Sequence, residues 1–260
     1  INIAKRLREK KIKYKFLIKE NYKIKKYLES INHKVYFLKN LKKDIANKII
    51  LSNLFSIDEK YRKIISSSSK FWIVITEKKS EEIGDLNFNI SSNPKYFPLG
   101  DIFTIRNNFN YRKNIKKIII SFGGSDPKNI SLLILEFIRQ GVERGEISKD
   151  IKIELILGTL FKFNDLILSA VKKFPLKCKV YCSLSHKKFK EKAQSSDIAI
   201  TTGGGTMYEF CALGVPSIII PILDKMEKNA SFYKKKGSII LLGRSDKISA
   251  NDLISAIKYL

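Results

Sequence analysis

Two short stretches carry residue types that can hold an anion. Gly123-Gly124-Ser125-Asp126-Pro127 follows an apolar run ending at Phe122, and Gly203-Gly204-Gly205-Thr206 follows another ending at Thr201-Thr202. Glycines let a backbone turn sharply and approach a ligand closely. A helix that begins just after them presents N–H groups with no acceptor of their own. Ser125 adds a hydroxyl donor for a phosphate oxygen. The first stretch also reads as a plain strand-to-helix turn, with Asp126 capping the helix and Pro127 at its first position. Three consecutive glycines are costly in chain entropy, so the second stretch implies a close backbone approach. Four residues beyond Gly205 stands Glu209, whose carboxylate can accept hydrogen bonds from two sugar hydroxyls at once. Thr206-x-x-Glu209 also matches a capping box, which would turn that carboxylate back onto the helix start.

The elements around these stretches read as alternating short apolar strands and amphipathic helices. In the second half, strands are expected at 117–122, 151–157, 179–183, 197–201, 216–221 and 238–242. Helices are expected at 129–140, 164–172, 186–194, 207–213, 227–235 and 251–260. That alternation predicts a parallel, doubly wound sheet, and both glycine stretches fall where strands end and helices begin, where such sheets bind ligands. The first half alternates as well, with helices at 1–10, 22–29 and 58–65 and strands at 13–18, 34–38, 48–51 and 71–76. Opening on a helix is unusual for such a lobe, which starts from a central strand. Ser66–Ser69 reads as a loop, and 77–114, with Pro94, Pro98 and Gly100, as the irregular connection between two lobes, 1–112 and 113–260.

The 260 residues suffice for two modest α/β lobes, and 44% hydrophobic against 29% charged supports an ordinary core. The net charge of +25 favours anionic partners, yet only eight of the 50 basic residues are arginine and the lysines are spread along the chain. Nucleic-acid sites favour arginine for bidentate contacts, so no nucleic-acid partner is expected. The lysines at 10–15 and 23–26 allow a peripheral membrane-surface contact but equally make solvated helix faces. No apolar run reaches the ~18–20 residues of a membrane span and no signal segment is visible, so a cytoplasmic location is expected. Cys178, Cys182 and Cys211 lack metal-ligand spacing and read as buried, reduced thiols, with no metal or cofactor implied. His33 and His186 sit at turns and read as surface or capping residues. Tyr61, Trp72 and Phe109 read as core or cleft-lining aromatics.

Gly123-Gly124-Ser125-Asp126, the run Asp197-Ile-Ala-Ile-Thr-Thr-Gly-Gly-Gly-Thr-Met-Tyr-Glu209 and Ala212-Leu-Gly-Val-Pro216 together resemble the nucleotide-binding lobe of GT-B glycosyltransferase-type proteins. Within that superfamily the chain most resembles the UDP-sugar hydrolases of pseudaminic acid biosynthesis and their relatives in spore-coat polysaccharide synthesis. The lipid-linked N-acetylglucosaminyltransferase of peptidoglycan synthesis is a more distant likeness. Supporting pieces are Ile3-Ala-Lys-Arg-Leu7, Ser56-Ile-Asp-Glu-Lys-Tyr61 and Pro98-Leu-Gly-Asp-Ile-Phe-Thr-Ile-Arg106 with Phe109. The resemblance implies two Rossmann-like lobes with a UDP-sugar in the cleft between them. Gly124, Ser125, Gly204, Gly205 and Thr206 would line the diphosphate, Glu209 would hold the ribose, and Gly123, Gly203 and Asn229 would complete the nucleotide-binding set.

Departures from the family pattern are equally specific. In the hydrolases a first strand and a glycine-rich loop ending in a catalytic histidine precede the Ile-Ala-Lys-Arg-Leu helix, at which this sequence opens. The N-terminal lobe is therefore expected to be incomplete and the catalytic residue is unassigned. Acidic and tyrosine positions of the family are replaced around Ser52-Asn53-Leu54 and at Thr76-Glu77, and Asp224-Lys225-Met226 stands in for an Asp-Asn-Gln-like segment. Three readings follow: a UDP-sugar hydrolase acting on an acetamido-sugar in surface-glycan synthesis, a glycosyltransferase with the same donor lobe, or a non-catalytic or truncated UDP-sugar-binding protein. The sugar, any acceptor and the oligomeric state are not encoded in these motifs.

Overall fold

The structure, a computed structural model, describes residues 2–18, 20–54, 59–76, 83–89, 97, 99–104 and 114–260. The expected lobe boundary at 112/113 lies outside them, as do Ser56–Asp58, Glu77, Pro98, Arg106 and Phe109. The chain divides into two compact units, Ile1–Pro98 and Leu99–Leu260.

The first unit runs α1 (Asn2–Glu9), β1 (Phe16–Ile18), α2 (Tyr22–Ser30), β2 (Val35–Phe37), α3 (Leu41–Ile45), β3 (Ile49–Leu54), α4 (Glu59–Ser68), β4 (Phe71–Thr76) and β5 (Leu86–Asn89). Its strands form two parallel sheets, β1–β2 and β3–β4–β5. Asn21 and Asn40 cap α2 and α3 through their side chains, accepting from Ile24 N and Lys43 N. Ile45, Ile65, Trp72, Val74 and Ile83 make the core, with Leu17 and Ile50 packed on it. Trp72 is a core residue as expected, and its indole N–H donates to Ser52 Oγ at 2.9 Å. The Ser66–Ser69 run differs from its expected loop. Helix α4 continues through Ser68, and the Ser67 and Ser69 hydroxyls donate back to Ile64 O and Ile65 O.

His33 also departs from expectation: it is buried, not a surface cap. Its Nδ1 lies 2.8 Å from Tyr14 Oη and 3.1 Å from Arg8 Nη2. A guanidinium only donates, so Nδ1 accepts and the ring proton sits on Nε2. Burial first, and the Arg8 charge second, hold the ring below its ordinary pKa. The neutral imidazole thus ties α1 to the start of β2, a structural task.

The second unit runs α5 (Asp101–Thr104), β6 (Lys117–Ser121), α6 (Ile130–Glu143), β7 (Lys152–Leu157), α7 (Asn164–Lys172), β8 (Lys177–Cys182), α8 (His186–Gln194), β9 (Ile198–Thr201), α9 (Gly205–Leu213), β10 (Ser217–Ile219), α10 (Asp224–Lys235), β11 (Ile240–Leu241) and α11 (Ala250–Tyr259). Its six strands are all parallel in the order β11-β10-β9-β6-β7-β8. Such a sheet is covered on both faces, which is why its central strands β6, β7 and β9 are almost wholly buried, whereas the edge strand β8 alternates. Ile118 and Ile120 face one layer, with Ile134 and Ile138 of α6, Ile167 of α7 and Leu253 and Ile257 of α11. Ile119 faces the other, with Phe103 of α5, Phe189 of α8 and Phe210 of α9. The chain enters at β6, winds outward to β8, and returns to build β9 to β11 on the other side of β6. The order therefore reverses between β6 and β9.

Two ties hold that central pair. At the amino ends Asp197 Oδ2 accepts from Lys116 N at 2.8 Å and Lys117 N at 2.7 Å. At the carboxyl ends the buried Thr201 hydroxyl donates to Ser121 O at 2.6 Å. Charge-assisted bonds from two backbone amides to one buried carboxylate are expensive to lose. Asp197→Ala is expected to destabilise the protein by about 2–3 kcal/mol in urea unfolding, and a change below a few tenths would remove the carboxylate from this role.

Candidate functional site

Both glycine stretches follow the two strands at which the sheet order reverses. In an open parallel sheet that reversal leaves a crevice outside the carboxyl ends, because the flanking connections depart toward opposite faces. The register Ile120↔Ile200 and Ser121↔Thr201 makes the stretches spatial neighbours, although 80 residues separate Gly123 from Gly203. Gly123, Gly124, Ser125, Gly203, Gly204, Gly205 and Thr206 are thus brought to one end of the sheet.

The two helix starts beside them differ. Helix α6 is closed: Asp126, only 3% exposed, takes Ile130 N on Oδ1 and Ser131 N on Oδ2, both at 2.8 Å. Asp126 is the cap that the sequence suggested. The helix, however, begins at Ile130 rather than at Pro127, and Asn129 stands at the N-cap in the left-handed region without a side-chain bond. The expected anion at this helix start finds its place taken by the chain's own carboxylate. Helix α9 is open. Its N-cap is Gly204, which has no side chain to offer, and Gly205 N and Thr206 N have no acceptor among the described residues.

The capping box expected from Thr206-x-x-Glu209 does not form. With Gly204 at the N-cap, Thr206 already lies inside the first turn, and no hydrogen bond to the Glu209 carboxyl is found among the described residues. Glu209 stands one turn beyond Gly205 on the same face, about 6 Å along the axis. Burial pushes its carboxyl up to about 7. Half-buried and without a hydrogen-bond partner among the described residues, this acid would have its charged form stabilised by hydroxyl donors.

Helix α10 forms the neighbouring wall. A Cβ on Gly203 would lie 2.4 Å from Met226 O, so the close approach implied by the triple glycine is to this chain's own backbone. The Thr202 hydroxyl also contacts Met226 Sδ at 3.1 Å, and Tyr233 stacks edge-on against Tyr208 of α9 at 5.5 Å. Asn229 lies between Met226 and Tyr233 on that face of α10. It is 5% exposed and has no hydrogen-bond partner among the described residues. Glu209 and Asn229 are therefore two unpartnered polar side chains beside one open helix start. Sequence reading did not single out Met226 as part of this wall, and its place after Pro221 in a non-matching segment gave no signal for it.

The remaining candidates lie elsewhere. The His186 ring packs 5.9 Å from Phe103, and burial lowers its pKa. Cys178 and Cys211 are half-buried, with burial pushing both thiols up to about 12, whereas Cys182 is exposed, contrary to expectation. Among the described residues no three His, Cys, Asp or Glu are grouped as metal ligands would be, and no helix is long and apolar enough to cross a membrane.

The family profile for the glycosyltransferase family 28 C-terminal domain matches residues 118–260, which contain both glycine stretches. The chain is 21% identical over 259 residues to the spore coat polysaccharide biosynthesis protein SpsG of Bacillus subtilis, covering 92% of this chain and 74% of that one. It is 26% identical over 212 residues to an uncharacterized protein of Methanocaldococcus jannaschii, where the match covers 77% of this chain and 40% of the relative's length. Among solved structures, MurG of Acinetobacter baumannii superimposes with a TM-score of 0.57 at 10% identity, over 99% of this chain and 84% of that one. The UDP-GlcNAc 2-epimerase of M. jannaschii gives 0.52 at 16% identity, over 99% and 87%. At such identities the structural likeness speaks for the fold, which is GT-B-like with Rossmann-like units.

Two expectations follow from the site. Gly203→Ala is expected to cost about 1–3 kcal/mol of stability by overpacking against Met226, and Gly204→Ala much less, since a Cβ there meets only ordinary contacts at 3.7 and 3.8 Å. Thermal melts of the two variants check this. Glu209 has a folded pKa above its unfolded value, so the native state increasingly favours the protonated acid and loses relative stability as pH rises from 4.5 through about 7. Glu209→Gln is accordingly expected to raise the melting temperature at pH 8 and leave it unchanged at pH 4.

Proposed function

The chain belongs to the glycosyltransferase family 28 C-terminal domain family, and from that premise we propose that its second unit binds the UDP portion of a nucleotide sugar used in polysaccharide synthesis. The observation that carries the reading is the unpartnered Glu209 carboxyl one turn from the uncapped start of α9, at the point where the sheet order reverses. A diphosphate takes the free Gly205 and Thr206 amides and the positive end of the α9 dipole. Two vicinal ribose hydroxyls fit a carboxylate that accepts from both, and Asn229 supplies a further donor and acceptor at the same wall. The likeness to SpsG, whose name states spore coat polysaccharide biosynthesis, supports the pathway class. A fold shared with a UDP-GlcNAc 2-epimerase suits a UDP-sugar ligand.

The chemistry proposed is displacement of UDP from the anomeric carbon of an acetamido-sugar by water, a hydrolase reaction in the synthesis of a pseudaminic-acid-type or spore-coat-like glycan. The nucleophile forms a C–O bond as the bond from C1 to the diphosphate oxygen breaks. The departing diphosphate gathers negative charge, and fixed amide dipoles stabilise that charge more than they stabilise the bound sugar nucleotide. Attack by an acceptor hydroxyl, as in a transferase, uses the same stabilisers, and the family match favours keeping that second reading. UDP release measured with and without candidate acceptors separates the two. A protein that binds the nucleotide sugar without turnover in either assay is the non-catalytic reading.

Calorimetric titration with UDP, with ADP as control, tests the binding site. Saturable binding that prefers UDP is expected, and Glu209→Ala should weaken it by about 1–3 kcal/mol through loss of the charge-assisted bonds. Ribose hydroxyls favour the ionised carboxyl, so UDP affinity should fall as pH drops below about 7, by up to tenfold per pH unit. Affinity independent of both Glu209 and pH, in a folded variant, overturns the ribose assignment.

A further inference from the structure

Gly158 stands where β7 turns toward α7 and has no part in the site described so far. A Cβ on it would lie 2.3 Å from Gly124 O and 2.4 Å from Gly123 O. Leu160 N also donates to Gly124 O at 2.9 Å. Both carbonyls of the first glycine stretch are therefore turned onto the β7–α7 connection, and only a residue without a side chain leaves them room.

A trans peptide holds its C=O and N–H antiparallel, and no peptide here is cis. With the Gly123 and Gly124 carbonyls directed at Gly158 and Leu160, the next amides in the chain, Gly124 N–H and Ser125 N–H, must point the opposite way. In the strand order β9-β6-β7 that is the side on which the second glycine stretch follows β9. Neither amide has a hydrogen-bond partner among the described residues. Helix α6 cannot use them, since its start is closed by Asp126.

We infer that Gly158 is a positioning residue for diphosphate binding: by holding two carbonyls on its own side it aims Gly124 N–H and Ser125 N–H at the anion held by Gly205 N–H and Thr206 N–H. The inference rests on the nucleotide reading above and adds a residue that acts only through the first glycine stretch. It divides the ligand in two. The diphosphate depends on Gly158, whereas the ribose, held by Glu209 of α9, does not.

The test is amide NMR of the wild-type protein titrated with inorganic pyrophosphate, and then with uridine. Pyrophosphate is expected to shift the Gly124, Ser125, Gly205 and Thr206 resonances with one common dissociation constant, and uridine to leave Gly124 and Ser125 in place. Shifts confined to Gly205 and Thr206 overturn the inference while leaving the site at α9 standing. Absence of any response to pyrophosphate, UDP or uridine overturns the nucleotide reading and this inference with it. In Gly158→Ala, binding of pyrophosphate and of UDP should weaken about tenfold, the loss of roughly one such hydrogen bond, with uridine affinity unchanged. Equal weakening of all three ligands marks a purely structural role and overturns it. Should that variant fail to fold, the wild-type titration decides alone.

Discussion

The adjacency of β6 and β9 is the constraint on which the second unit depends. Neither strand's neighbour in sequence is its neighbour at the reversal, so local structure alone cannot bring them together. The pair is fixed by a carboxylate at one end and a hydroxyl at the other, Asp197 on Lys116 N and Lys117 N and Thr201 on Ser121 O. A slip of one residue would turn Ile118 and Ile120 out of the layer they share with α6 and α11 and unmatch both ties. The same register sets the two glycine stretches side by side. Fold and site thus share one determinant.

From that adjacency the two helix starts take different work. Asp126 takes the Ile130 and Ser131 amides of α6, so the helix start itself is closed, while the Gly124 and Ser125 amides of the preceding loop have no partner among the described residues. Helix α9 keeps its amides free and has a glycine where a capping side chain would stand. Open helix starts, half-buried acids and unpaired amides are all costly in the free protein. An open start, a half-buried acid and two amides unpaired among the described residues occur together here within one turn of α9.

Legibility in the sequence followed how strongly each element states its own pattern. Helices 164–172 and 186–194 were readable to the residue, the first from its apolar periodicity and the second from the Ser185 cap. The central strands of the second unit were readable because burial on both faces leaves plain apolar runs. Strand β5 was not: Leu-Asn-Phe-Asn carries two amide side chains, and Asn87 is used to bind Ile83 N and Gly84 N, a turn-like habit inside a strand. Helices α3 and α5, of five and four residues, are too short for periodicity to appear. At the site, residue types were legible but their assignments were not. Thr206 and Glu209 have the spacing of a capping box, and only the placement of Gly204 one residue before the helix removes that use. His33 looked like a turn residue because its partners, Arg8 and Tyr14, are distant in sequence.

The three thiols offer a practical opening. Cys178 and Cys211 are held far from ionisation by burial, while Cys182 stands exposed at the carboxyl end of β8. Alkylating reagents attack the thiolate, so at neutral pH a fluorophore or spin label would attach at one position without mutagenesis. That position lies at the same end of the sheet as the glycine stretches, two strands from β6 and across β7 from it. The native protein therefore carries its own attachment point for an optical reporter of ligand arrival.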